Sequence, residues 1–248
     1  MNSRITLFIL FSLFSLFTVS SSLYGETLNL LPQGWNLKGA LGVSATHMRT
    51  HGRTPKKWHT GFDFASSIGY RFRDFDFAMA SYVTITKSPP VYIRVGNATI
   101  DSDYGVLMSL TFGPKITHYL TNFNLLSNNS KSEKIKKLYP FIIVNPVIAI
   151  QSLYFERGNI TSSDPRSDFY MHQKLTYEGI GYICGFGVDI INLYSQEFFV
   201  EVLYKYLESS KMSVIGGTKK EVKTLYVDEN KRSVKEHTII LLVGLRVM

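Results

Sequence analysis

The sequence predicts an all-β fold: one eight-stranded antiparallel up-and-down barrel that crosses a membrane with its strands. Three observations carry this. Long segments alternate apolar with small or polar side chains, the period of a strand, again and again along the chain. The non-apolar face of these segments is furnished with glycine and ionisable residues, as a narrow lumen requires. Long connections also alternate with tight ones, which is how barrels with short turns at one end and longer loops at the other are built.

The clearest hairpin lies at residues 177–206. On its first strand, residues 177–191, Ile180, Tyr182, Cys184, Phe186, Val188 and Ile190 share one face, against Gly179, Gly181, Ile183, Gly185, Gly187 and Asp189. After a turn at 192–196, Phe198, Val200, Val202, Tyr204 and Tyr206 oppose Glu197, Phe199, Glu201, Leu203 and Lys205. A soluble antiparallel sheet would alternate too. The length of these strands and the glycine-rich inner face favour the membrane.

Taken from the start, residues 1–25 read as a signal peptide: Arg4, an apolar run over 5–19, then small residues at 20–22 and Gly25. The run is shorter than the ~20 residues of a spanning helix. No cysteine follows it to carry a lipid, and the single Cys184 excludes an intramolecular disulfide. Residues 26–248 then form the barrel domain. No later stretch suits a membrane helix, so the chain spans as a closed barrel, with every backbone group paired strand to strand.

The eight strands are expected at 35–46, 58–72, 75–87, 104–116, 138–153, 177–191, 197–206 and 238–248. Only Arg73 and Asp74 separate the second from the third, so Phe72 and Phe75 pair across a tight hairpin. Residues 47–57, 88–103, 118–138, 154–174 and 207–236 read as loops. A helical turn is expected in the third of these and an extra hairpin near Leu225 in the last. The fourth connection, long where the pattern asks for a short turn, is the exception. Pro140 and Pro146 interrupt the fifth strand and leave its register open. Aromatic content of 14%, with 15 Tyr and 17 Phe, suits strands and interfacial girdles. Trp35 belongs at the periplasmic boundary and Trp58 at the external one.

Three segments carry a family likeness: Leu110-Thr111-Phe112-Gly113-Pro114-Lys115, the glycine-alternating stretch 179–189 followed by Glu201-Val202-Leu203-Tyr204, and the closing Leu242-Val243-Gly244-Leu245-Arg246-Val247. In these the chain resembles the small eight-stranded outer-membrane barrels of the OmpX, OmpW and OmpA type. The resemblance implies insertion in a bacterial outer membrane, contact with its lipid and lipopolysaccharide, and handling by the assembly machinery through the last strand. Such barrels usually end on an aromatic residue, whereas Val247 and Met248 stand here. Ile239, Leu241, Val243, Leu245 and Val247 form the lipid-facing series of that strand.

Two places could carry function. The expected lumen face holds Lys38, His59, Asp63, Arg71, Asp76, Lys115, Glu178, Asp189, Glu201, Lys205 and Arg246. Eight strands leave an interior that side chains can fill, so a packed, salt-bridged plug ranks ahead of a narrow solute path of the OmpW kind. The other place is the first external loop, where Arg49, Arg53, Lys56 and Lys57, with His47 and His51, crowd together without an acid. Such a patch attracts envelope or host polyanions; neutralising lipopolysaccharide phosphates, or plain solvation, is the blander use. The last loop mixes both signs.

No catalytic residues are expected. His59, Asp63 and Ser67 share a face, but neighbours in that series lie ~13 Å apart, too far for a relay. Neither a metal site nor a cofactor is expected, and His47 and His51 lack a third ligand. A secretory leader argues against nucleic acid. A soluble lipocalin-like barrel is the remaining alternative, and it would need more polar outward faces.

Overall fold

The computed structural model describes residues 33–49, 58–72, 74–87, 91–95, 98–102, 105–120, 135–155, 160–162, 169–192, 197–218, 221–227 and 234–247. The expected signal peptide and the helical turn within 118–138 lie outside them.

Eight strands close a barrel. They are β1 (Gly34–Arg49), β2 (His59–Phe72), β3 (Phe75–Lys87), β6 (Gly105–Tyr119), β7 (Ile135–Phe155), β9 (Phe169–Asn192), β10 (Glu197–Thr218) and β12 (Val234–Val247). Each pairs antiparallel with the barrel strand before it in sequence, and β12 pairs with β1 to complete the circle. The two tight connections fall where expected, with Phe72 opposite Phe75 at the first.

Four short strands lie within segments read as loops. β4 (Val91–Val95), β5 (Ala98–Ser102) and β8 (Ile160–Ser162) form a separate three-stranded sheet. β11 (Glu221–Val227) folds back on the far half of β10, which is the hairpin expected near Leu225. β2 and β3 keep to their expected limits, while the other barrel strands outrun theirs, most of all β9 and β10, which stay paired out to Phe169 and Thr218. Clear greasy alternation ends at the expected limits. Backbone pairing needs no greasy face, and it continues.

The stagger of the ladder sets the shape. From Trp35 the rungs run through Tyr70, Phe77, Ile116, Val144, Cys184, Tyr204 and Ile239, and return to β1 at Ala45, ten residues above the start. A ten-residue stagger over eight strands tilts them by ~40°. Those side chains all point outward. Lining the outer wall are Leu41 (63% exposed), Phe62 (67%), Ile180 (69%) and Phe186 (61%), while the inward neighbours of Leu41 and Phe62, such as Ala40 and Asp63, are buried. A soluble protein buries such side chains, and a barrel in hydrocarbon turns them out. The protein is therefore a transmembrane barrel, of the type found in outer membranes.

Inside, glycine makes room for rings. A Cβ on Gly187 would come within 2.5 Å of Phe141 Cζ, and one on Gly244 would collide with the ring of Phe199. The small face of 179–189 is thus small because inward side chains of neighbouring strands lie across it.

Pro146 of the fifth barrel strand has a specific place. The ladder between β6 and β7 is bridged at Phe112–Ile148 and again at Ile116–Val144, with the same register on both sides of the gap. Pro114 and Pro146 fall opposite each other in that gap, both outward. Each lacks an N–H, so rungs are lost without any shift in phase.

One face assignment is corrected. Glu178 is exposed, not lumenal. It stands an odd number of residues from Asp189, so it shares the outward face of Ile180 and Tyr182.

Candidate functional site

The lumen charges arrange themselves in layers. Nearest the tight turns, Arg246 of β12 places Nη1 2.9 Å from Glu197 Oε2 and also against Asp189, while its Nη2 donates to the Tyr119 hydroxyl at 2.6 Å. Arg71 of β2 reaches Asp189 and Glu197, each at 3.3 Å. Tyr119 donates to Asp189 Oδ2 at 2.9 Å. Asp76 of β3 takes Lys38 Nζ at 2.9 Å and the Asn36 amide at 3.2 Å. Guanidinium and ammonium groups also sit over rings, Arg71 at 5.0 Å from the Tyr119 centroid and Lys38 at 5.8 Å from those of Phe141 and Phe199. With Phe141 on β7, every barrel strand contributes to this layer.

The middle layer is a single pair, Lys115 Nζ to Glu201 Oε1 at 2.7 Å. A pocket beside it, lined in part by Tyr82, Ser67 and Phe199, holds about 10 Å³, the room of one water molecule. Above it Lys205 bridges Glu236 at 2.7 Å and the Thr84 hydroxyl at 2.8 Å. Thr84 donates in turn to Asp63 at 2.6 Å. Thr238 and Gln151 donate to Glu236, and Ser209 donates to Gln151 at 2.7 Å.

Towards the long loops the interior turns apolar: Met48, Leu107, Leu153, Leu175, Tyr177, Leu207 and Val234 are all buried. The described lumen is thus closed by ion pairs at one end and by hydrocarbon at the other. Among the described residues, buried side chains supply five cations (Lys38, Arg71, Lys115, Lys205, Arg246) and six anions (Asp63, Asp76, Asp189, Glu197, Glu201, Glu236). The +8 of the chain therefore comes from residues outside this core.

All eight residues expected in a lumen charge network, Lys38, Asp63, Arg71, Asp76, Asp189, Glu201, Lys205 and Arg246, are buried inside the barrel, as is Lys115. Asp63 joins through Thr84 and not through a cation. His59 is only half-buried, at the rim. The expected charge network lacked Glu197, although its hairpin phase already put it on the face of Glu201 and Lys205, and it lacked Glu236 and Tyr119, which fell in segments read as loops. Strand phase extended past the expected ends finds both: Glu236 is in step with Thr238 and Arg246, and Tyr119 with Lys115.

In the basic first loop, Arg49 ends β1, opposite Lys235 on β12. Arg53, Lys56 and Lys57 lie outside the described residues. Just beneath Arg49, one level of the outer wall carries an aromatic ring on four adjacent strands and on the residue that precedes β2: Tyr182, Tyr206, His237, His47 and Trp58. Neighbouring centroids lie 5.5 Å apart for Tyr182–Tyr206, 5.1 Å for Tyr206–His237, 6.4 Å for His237–His47 and 5.6 Å for His47–Trp58. At the opposite boundary Trp35 meets Tyr70 edge-on at 5.7 Å. Both tryptophans therefore sit in outward girdles at opposite ends of the wall, where amphipathic rings meet headgroups.

No protein-family model matches the sequence, and no curated protein matches it. Among solved structures the barrel is similar to Ail, the attachment invasion locus protein of Yersinia pestis, at 11% identity over 87% of this chain and 100% of that one, with a TM-score of 0.39. It is also similar to the outer membrane protein OprG of Pseudomonas aeruginosa, at 13% identity over 89% and 99%, TM-score 0.45. A third likeness is to the outer membrane protease OmpT of Escherichia coli, at 12% identity over 89% and 98%, TM-score 0.42. Likenesses this distant leave the activity open, and the fold stands on the closed ladder of the chain itself.

Proposed function

We propose that this outer-membrane barrel is a non-enzymatic surface-interaction protein whose basic external loops, with Arg49, Arg53, Lys56 and Lys57 foremost, hold envelope or host polyanions. The observation that carries this reading is the contrast between a filled, charge-matched core and strands that continue far beyond what a bilayer needs. With ~3.3 Å per residue and a ~40° tilt, the 22 residues of β10 climb ~55 Å, about twice the ~25 Å apolar band of such barrels. The excess raises a scaffold above the membrane while the core carries no share of the positive charge.

The test is retention on immobilised heparin or lipopolysaccharide at physiological salt, where long-range attraction between exposed charges is largely screened. Neutralising Arg49, Arg53, Lys56 and Lys57 to Gln is expected to weaken binding by about tenfold or more, at ~1.4 kcal/mol per tenfold. Unchanged retention would end the proposal. A narrow path through the lumen finds less support, since any such path must displace both the ion-paired layer and the apolar one.

A further inference from the structure

We propose that the outer wall around His47 and His237 is a docking site for the phosphorylated headgroup of an outer-leaflet lipid. This rests on the placement of the barrel in the membrane and is independent of the loop cluster proposed above, because it uses the side of the barrel and not its top.

The position argues for a lipid. The row of five rings is outward, and the next outward residues toward the tight turns on β12 and β1 are Ile239, Leu241, Ala45 and Val43, of which Ile239, Leu241 and Val43 are exposed. Acyl chains lie against those, which brings a headgroup level with the row.

The chemistry argues for an anion. A girdle needs only amphipathic rings, and tyrosine or tryptophan would serve. Here the centre of the row is two imidazoles side by side on paired strands. His237 Nδ1 lies 2.7 Å from the Tyr204 hydroxyl, which orients the ring. When Tyr204 donates to Nδ1, and again when His237 is protonated, Nε2 carries an N–H donor. One rung nearer the loops, Lys235 stands on β12 opposite Arg49 of β1, with its side chain 43% exposed.

Among the described residues Glu208 pairs with that lysine at 3.7 Å and also accepts from the Tyr206 hydroxyl at 3.2 Å. A long, half-exposed pair of that kind is weak, and a phosphate can take the lysine from it. The His237 N–H, beside the His47 ring, and an ammonium above a greasy wall fit a phosphate anchored by its own acyl chains.

The full barrel is placed in phosphatidylcholine nanodiscs doped with a bisphosphorylated, acylated glucosamine disaccharide or with its dephosphorylated form, and co-purified lipid is counted by native mass spectrometry. The phosphorylated lipid is expected to be retained and the dephosphorylated one washed away. His47→Gln/His237→Gln/Lys235→Gln should cut retention by about tenfold, as loss of charge-assisted contacts does. His47→Phe/His237→Phe preserves the stacked rings and heat-shifted gel mobility, and must lose the lipid as well. Arg53→Gln/Lys56→Gln/Lys57→Gln must keep it, so failure of the loop reading leaves this one standing. Equal retention of both lipids would overturn the proposal, as would full retention by the Phe variant. Displacement of the lipid by inorganic phosphate at similar concentration would do the same, making this a site for soluble anions.

Discussion

Glu197 and Arg246 are partners on the ladder between β10 and β12, and they meet again inside the barrel, carboxylate to guanidinium, at 2.9 Å. The same guanidinium faces Asp189 and Asp76. One cation near the end of the chain thus joins β12 to β3, β9 and β10. Arg246→Met strands three buried carboxylates on Arg71 and Lys38. The expected loss is ~3–5 kcal/mol, the scale for breaking a buried pair by removing one member. Urea titration in lipid vesicles, read by heat-dependent gel mobility, measures it. A loss below ~1 kcal/mol, typical of an exposed pair, would contradict the layered lumen.

Lys115 and Glu201 pair at 2.7 Å in the middle layer and suit a double-mutant cycle. Lys115→Met alone leaves a buried carboxylate and is expected to destabilise by ~3 kcal/mol or more. Adding Glu201→Leu is expected to recover most of that, since a well-packed apolar pair often replaces a buried ion pair at little cost. If the double variant were weaker than the single one, the pair would contribute more than a charge match.

Leu41 lies midway between the two girdles on β1, and 63% of it faces lipid. Leu41→Arg is expected to cost ~2–4 kcal/mol in vesicles, whereas Ala45→Arg, near the external girdle, costs ~1 kcal/mol or less. The same urea assay reads both. Equal costs would mean that the greasy wall does not follow the bilayer.

Gly187 supports the ring of Phe141, with 2.5 Å between a notional Cβ and Cζ. Gly187→Val is expected to destabilise by ~1–3 kcal/mol through overpacking. Pairing it with Phe141→Leu should return part of the loss. An additive double variant would show that the two positions do not meet.

Planar-bilayer recording of the purified barrel is expected to give no stable single-channel current, because salt bridges and hydrocarbon fill the lumen in turn. Steady conductance would restore the channel reading.

The faces of the strands were legible because alternation is local. Leu41, Val43 and Ile239 declare themselves without any knowledge of their neighbours, and the hydrocarbon outside sharpens the contrast. Glu178 shows the limit of counting by eye, since one step out of phase moves a charge from lumen to surface. The fifth barrel strand was ambiguous because Pro140 and Pro146 suggested a break. Only its partner strands reveal that Pro146 sits opposite Pro114 in one interruption while Pro140 stays in the ladder opposite Val188.

What the sequence determined by itself is the number of barrel strands, their outward series and the class of solvent they meet, because a two-residue period and the alternation of short and long connections can be read along the chain. Tertiary structure alone decided that Arg246 reaches Asp76 across 170 residues and that His47 and His237 share a rung. Those meetings depend on the ten-residue stagger around the closed circle, and a stagger belongs to all eight strands at once.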